Sequence, residues 1–151
     1  AIVPWKVETA EGAAISALAA SGQVNARDAV SRLPFGRRDR LVMGITGHDL
    51  TIQGYNFVFG YAVPGRYCAI VSLNRLRNSE VNGPDQLMLL ERAVKEVLHE
   101  AGHLLGLGHC LDANCVMHYS QALQDTDIKS ERFCPVCARE LSRLPESSHE
   151  G

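Results

Sequence analysis

No apolar run in this 151-residue chain is long enough to cross a bilayer. The longest small-apolar stretch, residues 13–20, is broken by Ser16 and falls well short of the ~20 residues a membrane helix needs. A basic segment followed by an apolar core, the mark of an export signal, is also missing. The chain opens on Ala1 rather than Met, as a trimmed chain would. With no export signal, an odd cysteine count and a C-x-x-C pair make the cytoplasm the expected compartment. Surplus charge is absent too. The 15 Lys and Arg against 17 Asp and Glu leave a net charge of −2, so no overall field favours nucleic acid or an anionic membrane. The densest basic run, Arg37, Arg38 and Arg40, reads as a solvated loop. Cysteines are few and odd in number, 5 in all, which does not suit a scaffold stapled by disulfides.

What is present is an ordinary globular balance, 46% hydrophobic and 21% charged, in a length that suits one domain with a real core. Residues 2–7 read as a strand and residues 9–20, rich in Ala and Leu, as a helix. Residues 26–33 suggest a short helix stopped by Pro34 and Gly36. The apolar stretch 40–46 reads as a buried strand. Residues 56–63 and 67–73 read as two strands joined by Pro64-Gly65, a hairpin signal. The longest helical pattern covers residues 85–105, where Leu87, Leu90, Val94, Val97, Leu98 and Ala101 form a stripe expected to face the core. Pro84 and Asp85 suit its start and Gly106 its end. Short helices are expected near 120–129 and 135–143, then a polar tail. The order gives an α/β domain: residues 1–106 form the sheet and its long helix, and residues 107–151 a small loop-rich C-terminal subdomain.

The segment HEAGHLLGLGH, from His99 to His109, concentrates the chemistry. His99 and His103, four apart, project from one helix face and can share a metal ion. Glu100, one residue round, reaches a metal-bound water rather than the metal. Gly106 lets the chain leave the helix through positive φ, and the turn returns His109 as a third nitrogen ligand. Three neutral nitrogens and one open position describe a catalytic zinc site rather than a closed structural one. HExxHxxGxxH followed by a methionine resembles the metzincin signature. Met117, eight residues after His109, matches the Met-turn, which in metzincins floors the three histidines without binding the metal. Tyr119 matches a position where some metzincins carry a tyrosine near the metal; it is either an oxyanion-supporting group and extra ligand or a packed ring.

Cys110, Cys115, Cys134 and Cys137 fall in two pairs. They read as four thiolate ligands of a tetrahedral structural zinc, with two disulfides or buried free thiols as the alternatives. One metal there would clamp both the loop after His109 and the Met117 turn. Cys68, inside an expected strand, reads as a small buried apolar residue.

HExxHxxGxxHC, a further cysteine, the methionine and then CxxC resemble the archaemetzincin family from His99 to Cys137. The spacing from Met117 to the CxxC is about one residue shorter than the family pattern, within an expected helix or loop. The resemblance implies a metzincin-like mixed twisted sheet with an active-site helix. It also implies two Zn2+ ions, one catalytic and one structural. Peptide or protein substrates follow, with aminopeptidase action attributed to some members. A monomer is the expectation, with no nucleic-acid or membrane partner. The rival readings are a noncatalytic zinc-binding interaction module, nucleic-acid binding through the cysteine site, and a zinc hydrolase acting on a non-peptide amide.

Overall fold

Hydrophobic alternation and turn chemistry place most elements where local physics would put them. The computed structural model describes residues 22–77 and 86–143. The expected strand at 2–7, the helix at 9–20, Pro84 and Asp85, and the polar tail lie outside the described residues. Strand β1 (Gln23–Asn25) runs directly into helix α1 (Ala26–Ser31), where the Asn25 side chain caps the helix by accepting the Asp28 N–H at 3.2 Å. Strand β2 (Val42–Thr46) is followed by β3 (Asp49–Thr51), β4 (Gly60–Val63) and β5 (Cys68–Ser72). Helices α2 (Gln86–Leu104), α3 (Leu123–Ile128) and α4 (Pro135–Arg143) complete the order.

The strands form a mixed pair of sheets. β1 and β3 pair in parallel, and a second sheet has the order β2-β5-β4, with β2 parallel and β4 antiparallel to β5. β4 and β5 make the expected hairpin through a 3-10 turn at Pro64–Arg66, closed by Tyr67 in the left-handed region at φ 49°. Central β5 is buried along its whole length, including Cys68, as a strand flanked on both sides should be.

Three sequence expectations are corrected. The strand expected at 40–46 is not buried: among the described residues β2 is an edge strand, and Ile45 is 51% exposed. The strand expected at 56–63 begins only at Gly60. Val58 instead bridges to Leu50 of the first sheet, and Phe57 and Phe59 meet edge to face at 5.2 Å, so the chain changes sheets there. The expected core stripe of α2 holds only towards its C-terminal end. Ala101 is buried and Val97 and Leu98 pack against buried clusters, but Leu87, Leu90 and Val94 are 73%, 60% and 40% exposed. Arg92, Glu96, His99 and Glu100 are buried beside them, ionisable groups that hydropathy does not mark.

α2 packs on β4 and β5 through Leu89, Ala93 and Val97 against Phe59, Val71 and Leu76. A separate apolar cluster of Leu107, Cys115, Val116, Met117 and Cys137 lies beyond its C-terminal end. Gly106, at φ 101°, turns the chain out of the helix towards that cluster, a conformation that disfavours any side chain.

Candidate metal centre and cleft

The last turns of α2 and the loop after Gly106 bring His99, His103 and His109 together, with ligand nitrogens all within 4.8 Å of one another. Nδ1 of His99 lies 2.8 Å from the Val116 carbonyl oxygen, and Nδ1 of His103 lies 2.8 Å from the Leu107 carbonyl oxygen. A carbonyl can only accept, so each Nδ1 carries the proton and each Nε2 presents a bare lone pair. Burial, helped by the Lys129 charge, pushes the His99 pKa down to about 3; burial also lowers those of His103 and His109. All three rings are thus held neutral.

The two Nε2 atoms of His99 and His103 nevertheless lie only 3.1 Å apart. Two lone pairs have no reason to face each other at that distance unless a cation sits between them. Nitrogens ~2.0–2.1 Å from a tetrahedral zinc would be about 3.3 Å apart, so the imidazole set fits the metal.

Glu100 is buried beside this cluster. Burial first, then the neighbouring Glu96 carboxylate, push its pKa up to about 8, with Lys129 opposing. A cation among the imidazoles would draw it back down. Its carboxylate lies against Gly60 of β4, where a Cβ would come within 2.6 Å of Oε1. Met117 is fully buried beneath the site, packed against Gly102. Tyr119 is 38% exposed, with its ring 5.0 Å from that of His109. The histidines open onto a cleft of about 720 Å³, walled by Phe57, Val58 and Gly60 on the sheet side and by Leu107, Tyr119 and Gln121 on the other.

Cys110, Cys115, Cys134 and Cys137 also converge, their Sγ atoms within 4.8 Å of one another and none of them in a disulfide. Cys110 and Cys134 are 3.8 Å apart through sulfur. That equals the edge of a tetrahedron with ~2.3 Å zinc–sulfur bonds, about 3.8 Å, and is far from a disulfide bond length. The Met117 and Cys134 N–H groups donate to Cys115 Sγ at 3.5 and 3.3 Å, and the Cys137 N–H to Cys134 Sγ at 3.5 Å. That last bond, first among the causes, brings the Cys134 thiol down to about 7. The donor set fits a zinc ion.

Sequence reasoning missed Glu96 and Lys129. Glu96 lines the cleft one turn before Glu100, and its carboxylate pairs with the Lys129 ammonium at 3.2 Å, both side chains almost wholly buried. The four-residue spacing of Glu96 and Glu100 was legible, but nothing local marks Lys129 as a buried partner.

A sequence profile of peptidase family M54 matches residues 14–143. The chain is 49% identical over 111 residues to an archaemetzincin of Pyrococcus horikoshii, covering 73% of this chain and 59% of that one. It is similar to the crystal structure of archaemetzincin from Methanopyrus kandleri, with a TM-score of 0.74 and 43% identity over 85% of this chain and 71% of the other. A zinc-dependent peptidase from Methanocorpusculum labreanum superposes with a TM-score of 0.65 at 40% identity, over 67% of this chain and 53% of that one. The chain spans between 55% and 64% of the length of the first three curated relatives it matches.

Proposed function

Because this chain belongs to peptidase family M54, we propose that it is a zinc-dependent metallopeptidase whose catalytic zinc is held by His99, His103 and His109, with a second zinc on Cys110, Cys115, Cys134 and Cys137. The observation that carries this reading is the 3.1 Å approach of two unprotonated imidazole nitrogens beside a buried carboxylate. Bound there, zinc would lower the pKa of a water towards about 7 and polarise the scissile carbonyl.

The chain's own groups supply the rest. Glu100 accepts the proton of the attacking water and passes it to the leaving amine, the work of a general base and then acid. Val116 and Leu107 fix the His99 and His103 rings through their carbonyl oxygens. Met117 closes the floor, and Tyr119 stands where its hydroxyl can support the developing oxyanion.

β4 supplies the substrate rail. The Ser72 N–H donates to the Phe59 carbonyl oxygen, and Gly60 faces Val71 in the antiparallel register. Alternation then turns the main-chain groups of Gly60 and Ala62 away from β5, where an extended peptide can pair with them. The rail is therefore Gly60–Val63, while Asn56, Phe57, Val58 and Phe59 line the cleft wall.

The test is cleavage of a mixed peptide library by the zinc-loaded chain beside its Glu100→Gln variant. The variant keeps its metal and loses about 10²–10⁴ of turnover. Equal turnover in both would refute the assignment of Glu100. The cut positions distinguish aminopeptidase trimming from internal cleavage.

A further inference from the structure

The buried pair formed by Glu96 and Lys129 has no part in the scheme above. The Lys129 side chain is 0% exposed and that of Glu96 3%, with Nζ to Oε1 at 3.2 Å. Thr126 also donates its hydroxyl to Glu96 Oε1 at 2.9 Å, and Lys129 Nζ donates to the His118 carbonyl oxygen at 3.3 Å. The ammonium is thus anchored to the peptide between Met117 and Tyr119, the stretch that closes the cleft floor and flanks His109.

Fastening α3 to α2 does not require this pair. Arg92 already grips Asp127 through two bonds of 2.7 and 2.8 Å, and Lys95 Nζ donates to the Thr126 carbonyl oxygen at 3.0 Å. A buried ion pair contributes little net stability over apolar replacements. Its position is more telling. Glu96 and Glu100 are four residues apart on one helix face, where side chains are neighbours, and both line the cleft, while Glu96 holds the buried Lys129 ammonium. A second carboxylate thus stands one helix turn from the one that binds Lys129.

We propose that Glu96 is a positioning residue: it holds the Lys129 ammonium against the His118 carbonyl and so keeps it off Glu100, leaving that carboxylate directed at the attacking water. The proposal rests on the peptidase reading and adds to it a reason for a second cleft carboxylate. It concerns which partner Lys129 takes. Remove the negative charge of Glu96 while keeping its shape, and the ammonium turns to Glu100. Remove both charges, and Glu100 is free again.

The experiment compares the full chain with E96Q and E96Q/K129M, each loaded with cobalt in place of zinc. E96Q is expected to keep its cobalt. Its visible absorption bands shift as Glu100 is drawn away from the water at the open coordination position, and kcat falls about 10²-fold with KM within about threefold. E96Q/K129M restores the parental spectrum and recovers at least about tenfold of the lost kcat, a coupling that a fastening role would not produce. Parental spectrum and kcat in E96Q overturn the proposal. So does a double variant as slow as E96Q, with activity following the unfolding midpoint. Should E96Q unfold, the double variant decides, since it removes both members of the buried pair together: near-parental kcat and spectrum support the proposal, and a kcat about 10²-fold down overturns it. A parent that binds cobalt but cleaves no peptide refutes the peptidase reading instead, and the spectra alone then decide the partner of Lys129.

Discussion

Nδ1 of His99 lies 2.8 Å from the carbonyl oxygen of Val116, so the residue just before Met117 orients the first ring of the histidine cluster. The floor of the site and its first nitrogen are thereby one unit. Val116 is in turn held by its N–H to the Arg132 carbonyl oxygen at 2.9 Å. The next residues but one from Arg132 begin the second cysteine pair, at Cys134. Changes to either cluster should therefore register in the other.

Gly102 is where α2 lies against that unit. A Cβ there would overlap Met117 Sδ and press on the Phe133 ring, and Met117, fully buried, cannot swing aside into solvent. Gly102→Ala is expected to destabilise the chain by about 1–3 kcal/mol despite the better helix propensity of alanine. Urea unfolding midpoints check this, and a stability equal to the parent would show that Met117 can repack.

Gly60→Ala should separate stability from catalysis. The three atoms nearest the added methyl would be Oε1, Cδ and Cγ of Glu100, at 2.6, 2.9 and 2.9 Å, and a side chain end can shift where a backbone cannot. Zinc content and unfolding midpoint are expected to stay near the parental values while kcat falls about tenfold or more. Steady-state kinetics with metal analysis decide it.

Cys134→Ser tests the second metal. Its thiol is 3.8 Å from that of Cys110 and receives the Cys137 N–H. Zinc per chain should fall from two ions to one, with Tm lower by roughly 10 °C or more as the loops after His109 lose their clamp. A variant that still holds two zincs at parental Tm would remove the cysteines from the ligand set.

Tyr119→Phe should keep the metal and leave KM nearly unchanged while kcat falls by roughly 10-fold to 10²-fold, because only the hydroxyl is lost and the ring stays beside that of His109. Unchanged kinetics would make the ring a wall and nothing more.

Acid stability reports on Asp49 of β3. Burial alone would raise its pKa, but the hydrogen bonds from Arg75 at 2.9 and 3.0 Å and from Gln23 at 3.0 Å outweigh it and hold it below the ordinary 3.8. A carboxyl with a lowered folded pKa contributes stability above its unfolded pKa and loses it as pH falls through the folded one. Asp49→Asn should therefore be less stable than the parent near neutral pH, the gap closing below about pH 3.8. Paired urea titrations at both ends of that range measure the difference.

Much of the centre was legible in order along the chain. The four-residue spacing of His99 and His103 needs only helix geometry, Gly106 marks the turn, and the hairpin at Pro64-Gly65 rests on local chemistry. The inner face of α2 was not legible in the same way. Leu87 and Leu90 carry hydropathy yet stay exposed, while Arg92 and Glu96 are buried because Asp127, Lys129 and Thr126 arrive from α3 and its end to meet them. Partners about thirty residues away leave no periodic trace.

The sequence by itself determined the candidate groups: three imidazoles, four thiols and a carboxylate at spacings that only a few backbone paths can satisfy. Tertiary structure alone decided which carboxylates sit in the cleft, that Gly60–Val63 is the strand lying along it, and that Lys129 is buried among them. The division follows from range. Helix pitch and turn geometry act over a few residues and can be read in the chain, whereas burial and ion pairing depend on which distant surfaces meet.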